Sequence, residues 1–166
     1  MRAAVDFSEA SRVYARISAA FGPGSEAACN AMARAFQNGV KHELARFPHA
    51  AHTRTPSPAG APPGMISGRL MESVTRTPAT GGGGRYESLV GPHTIYDMIQ
   101  EYGGWMHADR FRYMSWVTDG RRYWRKHVVL PPRPYMRPVA RRMSADGQLS
   151  EAARDALGAI VYAAEV

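Results

Sequence analysis

Six histidines, His42, His49, His52, His93, His107 and His127, are the side chains of this chain best suited to hold a metal. His49 and His52 lie in a Pro-rich stretch that offers no helix or strand to fix their geometry, and no HExxH, HxH or DxD pattern occurs. Zinc needs ligands on rigid supports with ordered partners behind them, so no metal or other cofactor is expected. Nucleophilic catalysis fares no better. There is no Gly-x-Ser-x-Gly elbow, and Ser67, beside Gly68, reads as a helix cap. Asp97 and Glu101 stand four residues apart, a spacing that could pair an acid with a base but that also suits a solvated edge or an interface charge pair. The single Cys29 excludes an internal disulfide and a cysteine-cluster metal site. The glycine run of 79–84 lacks the lysine and Ser/Thr of a phosphate loop. An enzyme is therefore not expected.

Charge is more informative. The chain of 166 residues carries a formal net charge of +7, and Lys41 and Lys126 are its only lysines. So arginine-rich a composition fits a GC-rich genome equally with selection for planar, bidentate contacts to carboxylate or phosphate. Its placement is uneven. From Gly120 to Ala145 no acidic residue occurs, while Arg121, Arg122, Arg125, Lys126, Arg133, Arg137, Arg141 and Arg142 do. The tail beyond is acidic, with Asp146, Glu151, Asp155 and Glu165. A basic block and an acidic end on one molecule could join copies head to tail; a solvated basic face is the plainer reading. The block RRYWRKH interleaves arginine with Tyr123 and Trp124, a mixture that binds single strands by charge and stacking. No helix-turn-helix, zinc-finger or RNA-recognition signature accompanies it.

These residues need elements to position them. An apolar fraction of 45% fits a folded chain of one domain. No run of eighteen apolar residues is present, and the first residues lack a continuous apolar stretch, so neither a membrane span nor a secretory signal is expected. Phe7, Ala10, Val13, Ile17 and Phe21 share a helical face, with Asp6 and Glu9 as a capping box. Gly22 and Pro23 are expected to end that helix. A second, longer helix then runs to about Phe47 on a stripe of Cys29, Met32, Phe36, Val40 and Leu44. Residues 48–66, with five prolines, read as an extended arm. Ser67 caps a short helix with Leu70, Met71 and Val74 inward. The glycine-rich 79–84 reads as a flexible tip, RYESLVGP as a strand, and TIYDMIQEYGG as a short helix with Ile95, Met98 and Ile99 on one face. FRYMSWVTDGRRYWRKHVVL, residues 111–129 and the Leu130 that follows, reads as a β-hairpin turning at Asp119–Gly120. A helix follows near Tyr135, and an amphipathic helix closes the chain.

The fold class is therefore α+β: an N-terminal helix pair, one of them long, a small antiparallel sheet including the 111–129 hairpin, short helices and a C-terminal helix. A single domain over 1–166 is expected, with a helical part at 1–47, the arm at 48–66, an α+β body at 67–145 and the last helix at 146–166.

Three stretches, in order, resemble one known family. TRTPSPAGAPPGMISGRLMESV (53–74) is similar to a "TP…PG…SGxLxxS" segment, LVGPHTIYDMIQEYGGWM (89–106) to "VGxxxxYAxxxExGG", and LPPRPYMRPVARRM (130–143) to "PxRPFxRPAL". The family is that of neck and minor tail (tail-completion) proteins of long-tailed bacteriophages. The matching positions are Ser67, Gly68, Leu70, Tyr96, Glu101, Gly103, Gly104, Arg133, Pro134, Tyr135, Arg137 and Pro138. Tyr135 stands where the family commonly has Phe, and Val139 where it has Ala. The resemblance implies a structural virion protein: one subunit of a homo-oligomeric ring, six copies being the first expectation and twelve the second. It implies head-completion, tail-terminator or tail-tube proteins as neighbours, the virion as location after assembly in the host cytoplasm, and packaged DNA close by. Arg121, Arg122, Arg125 and Lys126 would face that DNA or an acidic neighbour. The alternatives are a non-specific nucleic-acid-binding protein outside the particle and, further off, a small metal-dependent hydrolase.

Overall fold

The computed structural model describes residues 8–47, 57–108, 112–118 and 120–165. In chain order its elements are α1 (Ser8–Ala45), α2 (Arg69–Ser73), β1 (Thr75–Arg76), β2 (Thr80–Gly82), β3 (Arg85–Glu87), β4 (Val90–Gly91), α3 (Asp97–Tyr102), β5 (Gly104–His107), β6 (Met114–Thr118), β7 (Arg121–Arg125), β8 (His127–Leu130), α4 (Met136–Ala145) and α5 (Gln148–Glu165). Mixed helix and antiparallel sheet is the class expected. The strands form four two-stranded ladders, β1–β4, β2–β3, β5–β8 and β6–β7. The chain folds as two compact units, one of residues 1–36, 76–90 and 143–166, the other of 37–75 and 91–142.

The first unit corrects two expectations. Gly22 and Pro23 do not divide two helices; α1 runs through them for 38 residues. Proline inside a helix removes one hydrogen bond and costs about 3 kcal/mol. Packing offsets that cost, because α5 lies directly on the turn: a Cβ at buried Gly24 would stand 3.2 Å from Leu157. Ser25 Oγ also donates to the Phe21 carbonyl at 2.9 Å. The expected cap at Asp6 lies outside the described residues.

The second correction concerns the glycine tip, which is a hairpin. Gly82 pairs with Arg85, leaving Gly83 and Gly84 as a two-residue turn with φ of 60° and 82°. Positive φ at both positions is what a type I′ turn requires. The stem is tied below the strands, where Thr77 N–H donates to the Leu89 carbonyl and Leu89 N–H to Thr77 Oγ1, each at 2.9 Å. Asn30 Oδ1 of α1 accepts from Ala79 N–H at 3.0 Å. RYESLVGP is accordingly broken into β3 and β4 and is not one strand.

The second unit has its core in Val40, Leu44, Val74, Tyr135 and Val139, all buried. Gln37 Nε2 donates to the Val74 carbonyl at 2.9 Å. Buried Glu43 accepts from Arg142 at 3.1 Å and from Arg46 at 3.2 Å, fixing α4 to α1. The hairpin turns at the expected place, since Thr118 pairs with Arg121 around Asp119–Gly120. It is shorter than expected. The chain leaves it after Arg125, and β8 pairs with β5 from Gly104↔Leu130 to His107↔His127. Val128 and Leu130 thereby turn to the half-buried side, a demand that alternation within one long strand could not reveal.

Candidate functional site

In the second unit Glu101 ties the 89–106 stretch to the 130–143 stretch, and Ser57 and Gly60 of the 53–74 stretch bond to Arg133 and Pro132. Glu101 lies on the last turn of α3 and is 4% exposed. Its Oε2 accepts from the backbone N–H of Tyr135 at 2.8 Å and of Met136 at 3.1 Å. Its Oε1 accepts from Arg137 N–H and from Arg137 Nε, both at 3.0 Å. These amides begin α4, and the first N–H groups of a helix have no partner inside it. Pro138 follows within the first turn and has no N–H to satisfy. A carboxylate from another helix thus caps α4, placing negative charge at its positive end.

Arg137 completes the knot. Its Nη2 donates to the Glu101 carbonyl at 2.9 Å, and its guanidinium lies 4.5 Å from the centre of the Tyr102 ring. Burial alone pushes the Glu101 carboxyl up; the three amides and Arg137 outweigh it and hold the group below the usual carboxylate range. Tyr135 is fully buried, and its hydroxyl finds no hydrogen-bond partner among the described residues. Burial, with Asp97 and Glu101 near, pushes that phenol well up.

The remaining motif positions lock the same knot. Gly103 has φ of 68°, and a Cβ there would stand 2.7 Å from the Leu130 carbonyl oxygen and from Pro132 N. Arg133 N–H donates to the Gln100 carbonyl at 2.7 Å, and its Nε to the Ser57 carbonyl at 2.9 Å. Gly60 N–H donates to the Pro132 carbonyl at 2.9 Å. The second half of the expected arm is therefore held by its own chain; 48–56 lies outside the described residues. Pro134 is half-buried between Arg133 and Tyr135.

Ser67, Gly68 and Leu70 line a half-open cavity of about 190 Å³ with Leu44, Tyr96 and Gln100. Ser67 is not the cap expected. Gly68 takes that position at φ 75° without a side-chain bond, and Ser67 Oγ reaches only Arg69 N–H, at 3.5 Å. Of the residues expected on one face of α3, Ile99 is half-buried while Ile95 and Met98 are exposed, Ile95 at 102%; the buried residue of α3 is Glu101.

The basic block divides. Arg133, Arg137 and Arg142 are engaged internally. Arg121, Arg122, Arg125 and Lys126 are exposed on and just after β7. Arg122 reaches Ser115 Oγ at 3.4 Å and lies 5.8 Å from the Trp124 ring centre, with Trp124 55% exposed. Arg125 donates to the Trp124 carbonyl at 3.0 Å. Among the described residues none of these four forms an ion pair with a carboxylate.

Of the histidines, His93 bonds Thr75 Oγ1 at 2.6 Å. His107 and His127 are direct cross-strand partners, their rings 6.2 Å apart, with the Trp105 ring tilted 4.8 Å from His127 and stacked 6.5 Å from His107. Sequence reading did not single out this exposed face of Trp105, His107, His127 and Val129. The alternation of GWMH against HVVL carries the signal once the pairing is known. Among the described residues no three His, Cys, Asp or Glu side chains cluster to hold a metal, and no helix is long and apolar enough to cross a membrane. Comparison of the chain with family models, curated proteins and solved structures finds no match.

Proposed function

We propose that this protein is a structural subunit of a bacteriophage head–tail junction, a neck or tail-completion protein that acts in several copies as a ring around the DNA channel. The observation that carries the reading is the convergence on Glu101. Of the positions shared with the family pattern, Tyr135 and Arg137 bond to Glu101 directly, Arg133 bonds to Gln100 beside it, and Gly103 and Pro138 set the backbone on either side. Residues that set chain direction are what an assembly module needs: its work is to hold surfaces in register. Its partners are copies of itself and the adjoining connector, terminator or tube proteins. The exposed cations of β7 face packaged DNA or an acidic neighbour.

The test is electron microscopy of intact particles of the source phage. A ring of this chain between portal and tail tube is the expected outcome; absence of the chain from the particle rejects it. The hairpin itself favours a second reading, non-specific nucleic-acid binding outside a particle. Arg122 beside an exposed Trp124 is a pairing that holds single strands by charge and stacking. Salt-sensitive binding of an oligonucleotide by the isolated monomer would support it.

A further inference from the structure

Among the described residues the hairpin cations and the acids on the outer face of α5 form no ion pair, and their patterns match. On the β6–β7 ladder Ser115 stands opposite Trp124 and Val117 opposite Arg122, so these four side chains share one face, and all are exposed. Lys126 follows at its end, while Arg121 and Arg125 alternate onto the opposite face. On α5, Leu149, Ala152, Ala153, Ala156, Leu157 and Ile160 form the half-buried side. Glu151, Asp155, Gly158 and Tyr162 recur at four- and three-residue steps on the other, all exposed, Tyr162 at 71%. Asp146 is exposed just before the helix, and Arg154 is the one described cation on it, beside the stripe and not in it.

Gly158 is the telling position. A glycine within a helix costs roughly 0.5–1 kcal/mol against alanine, and a Cβ there would meet nothing within 4 Å. No packing among the described residues accounts for it. It leaves a flat place between an acid and an aromatic ring, where a large side chain can lie.

We infer that the exposed face of the β6–β7 hairpin docks on the Glu151–Tyr162 stripe of α5 of a second copy, head to tail. Arg122, with Lys126 at the end of the strand, meets Glu151 and Asp155, and Trp124 lies at Gly158 beside Tyr162. The contact joins two different patches, so it repeats from copy to copy and closes only as a ring. The inference rests on the ring reading for its partner, a second copy of this chain.

Two full-length variants test it. One carries Arg122→Glu and Lys126→Glu; the other carries Glu151→Arg and Asp155→Arg. Self-association is read by sedimentation equilibrium at low salt. Wild type associates, and each variant alone does so at least about tenfold more weakly. An equimolar mixture of the two recovers association, since each reversed patch now faces its complement; recovery also shows that both variants are folded. The inference is overturned by a wild type that stays monomeric, by a variant that associates as wild type does, or by a mixture that stays apart. A hairpin variant that loses oligonucleotide binding but keeps self-association overturns it too, and assigns the hairpin to nucleic acid. Recovery by mixing, with no such ring in the particle, rejects the ring reading alone.

Discussion

The arginines of residues 120–145 meet two opposite fates. Arg137 sits in a knot where donors and acceptors around Glu101 answer one another, with its guanidinium over the Tyr102 ring. A few residues earlier, Arg121, Arg122 and Arg125 stand on a hairpin with no carboxylate in reach among the described residues. The same residue type in the same acid-free stretch thus builds the fold at one place and presents charge at the other. What separates them is proline. Pro131, Pro132, Pro134 and Pro138 confine the backbone around Arg133 and Arg137, while the hairpin cations lie on regular strand that points side chains outward.

The contrast breaks most sharply at Glu101. Glu101→Ala leaves three amides and Arg137 without their acceptor and is expected to cost about 3–5 kcal/mol, read from chemical unfolding. A loss below about 1 kcal/mol would mean that water serves the cap as well. Acid acts on the same group. Its folded carboxyl lies below the unfolded value of 4.5. Its contribution is therefore full above pH 4.5 and fades as pH falls through the lower folded value. The urea midpoint should drop over that range, and Glu101→Gln should flatten this part of the profile.

Gly103→Ala is expected to be next in size, about 1–3 kcal/mol, because its Cβ would meet backbone at a positive φ. Tyr135→Phe runs the other way. It removes a buried hydroxyl with no partner and should be neutral or stabilising by up to about 1 kcal/mol; a clear fall in melting temperature would reveal a bond to that hydroxyl. Smallest of all, alanine at Arg121, Arg122, Arg125 and Lys126 together should leave stability within about 0.5 kcal/mol. A larger loss on unfolding would erase the difference between the two regions.

Much of this was legible in the residues. Asp119–Gly120 announced its turn because only a few residue types tolerate positive φ. The breaks at Pro131–Pro134 announced α4, and the alternation of small apolar and polar residues announced α5. Pro23 misled because its cost is local and the packing of Leu157 on Gly24 is not. The glycines of 81–84 misled because a run free to be flexible is equally free to turn tightly. The departure of β8 to pair with β5 was hidden, since β-branched HVVL suits either partner. Glu101 was legible as a motif position, but its role was not: nothing in a sequence says which distant amides a carboxylate will meet.

The cap on α4 also has a consequence in time. A ten-residue helix is marginal alone in water, and this one takes its N-terminal acceptor from a residue 34 positions earlier. α4 therefore cannot complete its first turn until α3 and the ladders between them have come together. Its first turn is thus completed by a contact made across 34 residues and not by its own neighbours alone.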